Sequence, residues 1–372
     1  MFRPIQGIRD EYVRAYSGLP RRAWILFAVN LVNSSGAMVI FFLSLYLTRK
    51  LGLGTGRAGR ALSLYGMGSI AGAYVGGWLA DRMGSIRVQK ISLAVCGALL
   101  IALGQARSMA GIAPLLFGMA LSSGMLYPAN ATSMSNVCPP GLQVKGFALN
   151  RLANNLGATI GPAVGGVLAV HDYRLLFWAD GLTSLAAFAV FALLWRKSRA
   201  AAGPDGTAGT RHDPEEGEKA GEAENPKAET AAAGSSAETG LPVRRGQTAH
   251  DRPISPWRDT PFLLLMLIFL VFYGVFVQVL TTFPLYMRNV YGLAENRIGQ
   301  LFAVNTVMIV AMEMILMEKI RKYPMARMIN LSIILIGAGL GLMPFGRSFA
   351  FAALTVAVWT FGEMLSMPLV TA

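Results

Sequence analysis

The sequence predicts an all-α polytopic membrane protein, on three observations. Of its 372 residues, 54% are hydrophobic and only 14% are charged, with 41 glycines, a balance far from that of a soluble domain. Apolar windows recur between short polar breaks, and about 20 such residues cross roughly 30 Å of hydrocarbon as a helix. The basic residues behind the formal net charge of +13 gather at alternate ends of those windows. Placed there, the charge is a topology signal and not a nucleic-acid footprint.

Hydropathy places ten spans, at 23–47, 58–80, 88–107, 112–137, 146–170, 174–195, 261–287, 298–318, 326–345 and 348–371. The first 21 residues are too polar and too long for a signal n-region, and the apolar run after them exceeds a signal h-region. The first span is therefore expected to stay in the protein. A cytoplasmic N-terminus puts Arg3, Arg9, Arg14, Arg21 and Arg22 inside, then Arg82, Arg87 and Lys90, then Lys145, then Arg196, Lys197 and Arg199, and finally Lys319, Arg321, Lys322 and Arg327. The opposite side holds Arg107, Arg174, Arg288, Arg297 and Arg347, with one basic exception at Arg49, Lys50, Arg57 and Arg60. The positive-inside rule thus favours a multi-pass protein of the cell (plasma or inner) membrane with its N-terminus in the cytoplasm.

Four regions follow: a cytoplasmic segment at 1–22, a six-helix bundle at 23–197, a linker at 198–257, and a second bundle of about four helices at 258–372. The linker is rich in Ala, Gly, Pro and Glu with few large apolar residues, a composition that cannot bury enough surface to fold. It is expected to be a disordered cytoplasmic tether. The chain closes on "GEMLSMPLVTA", at the edge of an apolar span. Halves of six and four spans imply either a truncated version of a longer protein or the loss of two spans.

Cys96 lies in a span and Cys138 in a loop, and the three histidines are scattered, so neither a disulfide framework nor a metal site is expected. "GTGRAG", Gly54 to Gly59, matches G-x-G-x-x-G but sits between two spans with no strand before it, which argues against a nucleotide site. No nucleophile, base or metal constellation points to an enzyme.

Two spans carry glycines four residues apart: Gly68, Gly72 and Gly76 in the second, and Gly157, Gly161 and Gly165 in the fifth. That spacing lines one helix face and lets another backbone approach. If spans one to three and four to six are related repeats, these are corresponding members, an arrangement that suits repeats rocking about a central site. Acids inside spans cost about 2.5–3.5 kcal/mol at a helix centre, so Asp180, Glu313 and Glu363 are candidates for proton coupling. Glu363 lies nearest the middle of its span. The competing reading for each acid is an internal hydrogen bond or ion pair between helices.

The stretch "GGWLADRMGSIR" resembles the loop signature between the second and third spans of the major facilitator superfamily, G-x-L-a-D-r-x-G-r-k-r. Gly77, Leu79, Ala80, Asp81, Arg82, Gly84 and Arg87 fit, while Ser85 and Ile86 replace two usual basic positions. "GATIGPAVGG", with Gly157, Gly161, Pro162, Gly165 and Gly166, is similar to the fifth-span signature of that superfamily's drug and proton antiporters. The resemblance implies a major facilitator fold, with a six-helix N-terminal bundle and an incomplete, four-helix C-terminal one. It makes Gly77, Asp81, Arg82, Gly84 and Arg87 a conformational latch, with Gly77 and Gly84 permitting tight turns. It also puts the cavity between spans one, four, seven and ten, so that Asn30, Asn33, Tyr127, Gln278 and Glu363 become lining candidates. Two departures stand out: the fourth-span arginine of the family is replaced by Ala120, four residues before Gly124, and "EKIRKYPMARM" looks like an eroded second loop signature.

The function these readings imply is secondary active transport by alternating access, as proton-coupled efflux of small amphipathic or drug-like compounds. Its partners would be a small-molecule substrate, protons as coupling ion and the lipid bilayer, with no nucleic acid, no cofactor and a monomeric state. The alternatives are a transport-inactive membrane interaction or regulatory protein, and an uptake or lipid transporter of the same fold.

Overall fold

The computed structural model describes residues 16–201, 259–320 and 323–371. Residues 1–15 and most of the expected linker lie outside the described residues. Each predicted span is met by helix. The first is split into Arg21–Gly36 and Val39–Leu45, the latter running into a π-turn at Tyr46–Lys50. The second to sixth are Thr55–Met83, Ser85–Gln105, Met109–Val137, Gln143–His171 and Tyr173–Ala201. The seventh to tenth are Thr260–Asn289, Glu295–Ile320, Met325–Leu342 and Phe349–Thr371, with a single 3-10 turn, Met343–Phe345, after the ninth. No strand occurs among the described residues.

Among the described residues, five helical stretches are long and apolar enough by themselves to cross a membrane: Arg21–Lys50, Ser85–Gln105, Met109–Val137, Tyr173–Ser198 and Arg327–Phe345. Spans 2 and 5 dilute their apolar residues with glycine, serine, asparagine and arginine. Their mean hydropathy is therefore lower, and their place in the bundle follows from packing.

That packing is built on missing side chains. In span 2, a methyl group on Gly68 would lie 2.6 Å from the Phe117 carbonyl oxygen of span 4, and one on Gly76 would lie 2.6 Å from Met125 Cα. Gly72 presses on the Leu121 carbonyl between them, and Gly124 of span 4 returns the contact on Ser69. Backbone-to-backbone approach of this kind gains dispersion energy where lipid supplies no hydrophobic drive. Gly72→Val is expected to cost about 1–3 kcal/mol by overpacking. A thermal melt of the purified full chain checks this, and an unchanged midpoint would show that spans 2 and 4 are not in register here.

Span 2 runs on through Asp81 and Arg82 to Met83, and the turn into span 3 is the single residue Gly84, at φ 85°. That left-handed conformation is one a side chain strongly disfavours. Gly77 makes no turn, contrary to the sequence expectation: it lies inside the helix, because the Asp-Arg pair reaches the end of the span without breaking its hydrogen bonds.

The chain divides into two compact units, Met1–Asp213 with Gln278–Ala372, and Pro214–Val277. The main core cluster of the first unit draws on both halves of the sequence, joining Met38, Phe42, Tyr46 and Phe177 with Phe283, Met287, Ile298 and Phe302. The rings of Phe41 and Phe283 both meet Phe302 edge-on, with centroids 4.8 and 5.5 Å away.

Candidate functional site

The break in span 1 is the first polar feature of the interior. Ser34, Ser35, Gly36 and Ala37 contribute little side-chain packing, and the helix opens at Ala37, where ψ is 74°. Gly36 presses on the Thr183 side chain of span 6, so no larger residue fits there. A break frees backbone N–H groups, which must find partners away from water. Asp180 supplies them: its Oδ2 accepts from Met38 N at 3.2 Å and Val39 N at 3.1 Å. The carboxylate is 7% exposed and caps the second half-helix from another span.

Span 5 holds the other side of that break. A methyl on Gly161 would sit 3.0 Å from the Ala37 carbonyl oxygen and one on Gly165 2.9 Å from Met38 Cβ, while Gly157 presses on Ser34. Above these glycines lies a carboxamide cluster. Asn30 Nδ2 donates to Asn150 Oδ1 and Asn154 Oδ1, both at 2.9 Å, and Ser34 Oγ donates to Asn154 Oδ1 at 3.0 Å. Asn130 Nδ2 of span 4 reaches Asn150 Oδ1 at 3.1 Å, while its own buried Oδ1 has no partner. Asn33 turns away, accepting from Ser184 Oγ of span 6 at 3.3 Å. Tyr127 is 80% exposed, and Gln278 is also exposed. Of the four lining candidates besides Glu363, then, only Asn30 joins a polar cluster of several spans. Asn150 escaped the sequence reading, although Asn150 and Asn154 are one helical turn apart and share a face.

The second half carries a smaller cluster. Asn305 Nδ2 of span 8 donates to Glu363 Oε2 at 3.0 Å and Thr360 Oγ1 at 2.9 Å, both on span 10. Glu363 is half-buried, and the side chain of Glu313 lies outside the described residues. Ala120, where the family pattern has arginine, is fully buried 3.0 Å from a methyl on Gly68. Span 2 leaves no room there for a guanidinium.

The halves meet at one end, where the connections 1–2, 5–6 and 7–8 lie. Arg49 Nη2 donates to Asn289 Oδ1 at 2.7 Å, and the buried Tyr173 hydroxyl donates to Glu295 Oε1 at 2.8 Å. Arg288 stands 3.9 Å from the same carboxylate. Span 5 comes close enough to span 8 that a methyl on Gly166 would lie 2.6 Å from the Glu295 carbonyl oxygen, and Gly299 presses on the Pro162 carbonyl. Thus the fifth-span glycines serve two neighbours, the broken span 1 on one face and span 8 on the other. Glu295 was not anticipated, since hydropathy started span 8 three residues too late to include it.

At the same end Asp172 accepts from Arg174 N at 3.1 Å and pairs with Lys50 at 3.5 Å. The Arg174 N–H, and secondarily Lys50, hold the Asp172 carboxyl below its usual value of 3.8. A depressed value means stability that is present above about pH 4 and lost as the pH falls through the folded-state value. Because both side chains are 40–50% exposed, Lys50→Ala is expected to change stability at pH 7 by less than about 0.5 kcal/mol. A melt at pH 7 checks that, and a larger loss would mean the pair is screened from water.

The opposite end carries the Asp-Arg pair of span 2. Asp81 is exposed and makes no ion pair among the described residues, and the Arg82 guanidinium lies over the Trp78 ring of its own helix at 4.1 Å. Beneath them Gln89 donates to the Ala129 carbonyl at 3.0 Å and to Ser133 Oγ at 2.5 Å, tying span 3 to span 4.

A family model described as Major Facilitator Superfamily matches residues 25–372 of this helical chain. The chain belongs to the major facilitator superfamily. It is 30% identical over 171 residues to an uncharacterized MFS-type transporter, YttB, of Bacillus subtilis (strain 168), covering 46% of this chain and 43% of the relative. It is 26% identical over 172 residues to the quinolone resistance protein NorA of Staphylococcus aureus (strain MRSA252), covering 46% and 44%. The chain thus matches less than half the length of these curated relatives. Among solved structures, a peptide transporter POT in complex with sulfate superposes with a TM-score of 0.65 at 16% identity, covering 95% of this chain and 82% of that one. A D-xylose-proton symporter does so with 0.56 at 12% identity, covering 92% and 79%. These two show the shared fold. Membership makes this a multi-pass membrane protein of a transporter family and not an enzyme.

Proposed function

We propose that this major facilitator protein is a secondary active transporter that works by alternating access and exports small amphipathic compounds against protons. The observation that carries the reading is the one-sided closure. The halves are joined through Arg49–Asn289, Tyr173–Glu295 and Gly166 at one end, while at the other Asp81 makes no ion pair among the described residues. With a cytoplasmic N-terminus, the closed end faces outward, and in the latch motif, Gly77, Asp81, Arg82, Gly84 and Arg87, Asp81 is exposed and Arg82 lies over Trp78 of its own helix. Asn30, Asn130, Asn150 and Asn154 on one side and Glu363 with Asn305 on the other offer polar groups to a substrate and a proton. The likeness to NorA supports efflux, and Ala120 moves proton coupling away from the fourth span onto the acids of the other spans.

Everted membrane vesicles carrying the full chain test this. Adding amphipathic cations from a broad panel is expected to release protons from the acidified vesicle lumen for some of them. If the protein is verified in the membrane and no compound moves protons, the transport-inactive reading replaces this one.

A further inference from the structure

We propose that Asp180 is the positioning residue through which proton occupancy controls closure of the two halves, acting on the break in span 1. The inference rests on the alternating-access reading, and its geometry is already in the fold. Asp180 Oδ2 accepts from the N–H of Met38, which also reaches the Gly36 carbonyl, and from the N–H of Val39, the first residue of the half-helix Val39–Leu45. A negative charge at that position is favoured by the half-helix's own partial positive charge. No cation stands within ion-pair distance of Asp180 among the described residues. An ionised carboxylate in such a place is expensive, and two backbone donors offset only part of that cost. Both donors share Oδ2, so a proton bound at Oδ1 leaves their geometry in place but turns the charged acceptor into a neutral carbonyl oxygen, and charge-assisted hydrogen bonds are roughly twice as strong as neutral ones. The clamp on the half-helix then loosens.

What the clamp holds is the closed end. Val39 and Phe42 of the half-helix and Tyr46 of the π-turn after it pack in the same cluster as Phe283, Met287 and Phe302 of the second half, and Phe41 meets Phe302 directly. Past Tyr46 the same segment reaches Arg49, which donates to Asn289. Two turns before Asp180 on span 6, Tyr173 bonds Glu295 of span 8. Span 6 therefore holds both ends of the closure, the half-helix through Asp180 and span 8 through Tyr173. The titratable groups around Asp180 are few. Span 3 brings the buried Cys96 thiol, and span 1 brings the Tyr46 phenol, whose ring packs on Phe177. Span 6 itself brings Tyr173. Span 5 faces the break with Gly157, Gly161 and Gly165 and carries its own ionisable residues, Lys145, Arg151 and His171, elsewhere along its length.

The experiment reads closure directly, without substrate. Spin labels at Arg57→Cys and Phe345→Cys, both exposed positions at the closed end, report the separation of the halves in the full chain reconstituted in lipid. With Asp180 intact, lowering the pH is expected to raise the population at longer distance by about 5-fold or more. Asp180→Asn, neutral at every pH, is expected to show that population throughout and to lose the pH response. A pH response in Asp180→Asn equal to that of the native chain overturns the proposal. If that variant fails to reach the membrane, dicyclohexylcarbodiimide, which modifies protonated carboxyls in apolar surroundings, is applied to the native chain and its site mapped by mass spectrometry. Modification of Asp180 should rise as the pH falls, in step with the distances, and its absence across the pH range overturns the proposal. A normal distance response together with absent transport indicts the efflux reading and leaves Asp180 in place.

Discussion

Replacing Glu363 by glutamine is expected to remove proton-driven transport while leaving the chain folded. Glu363 Oε2 accepts from Asn305 Nδ2 at 3.0 Å, and Asn305 also reaches Thr360. Spans 8 and 10 are thus tied by a carboxamide that bridges two acceptors. A glutamine of the same length can turn its oxygen toward Asn305 and keep that tie, so yield and melting temperature are expected to stay near those of the native chain. What it cannot do is bind and release a proton. Substrate-dependent proton movement in everted vesicles is expected to fall to the background of membranes that lack the protein, because glutamine carries no exchangeable carboxyl proton at this position. Downhill substrate movement is expected to persist. Asn305→Ala makes the contrast: it leaves Glu363 and Thr360 without this donor and is expected to lower folded yield as well. Full proton-driven transport by Glu363→Gln would remove Glu363 from the coupling scheme and leave Asp180 as the described intramembrane acid to consider.

How far the sequence revealed this depends on whether the signal was local. Span existence followed from run length alone, because the bilayer fixes the number of apolar residues needed. The glycine faces of spans 2 and 5 were visible as a four-residue period, which reports that something packs there. It could not report what, since Leu121 and Ser34 are far away in the chain. The split in span 1 was hidden for the same reason. "NSSGAM" is compatible with continuous helix, and the residue that stabilises the opening, Asp180, lies 142 positions after Met38. Asp180 itself was marked as costly, and only its hydrogen bonds show that it caps a helix in another span. The "LADRMG" loop identified the family, yet its helix continues to Met83 and its turn is Gly84 alone. Family resemblance placed the lining by span number, and rotation of each helix then decided which residue points where. Asn30 came to face span 5, Asn33 to face span 6, and Tyr127 to be exposed.

The fifth-span glycines allow a sharper experiment, because one helix uses two faces for two purposes. Gly157 and Gly161 pack against the break of span 1 within the first half, whereas Gly166 packs against Glu295 and Asn296 of the second. Gly157→Val is therefore expected to be a folding lesion, seen as loss of protein from the membrane. Gly166→Val is expected to leave the first half intact and to wedge the closed end apart. A side chain there meets the Glu295 carbonyl oxygen at 2.6 Å and Asn296 Cα at 3.0 Å, both backbone atoms that cannot swing aside. Overpacking of that kind costs about 1–3 kcal/mol, and here the cost falls on one conformation and not on the fold. A two-state equilibrium shifted by that much changes its ratio by about 5- to 150-fold. The measurement is alkylation of a cysteine at Met287→Cys, a fully buried position at the closed end, in whole membranes, which is expected to accelerate in the Gly166→Val background. Gly299→Val, acting from span 8 on the Pro162 carbonyl, is expected to do the same. Unchanged alkylation in both would mean that spans 5 and 8 do not close against each other in the membrane, and the one-sided closure that supports alternating access here would fail with it.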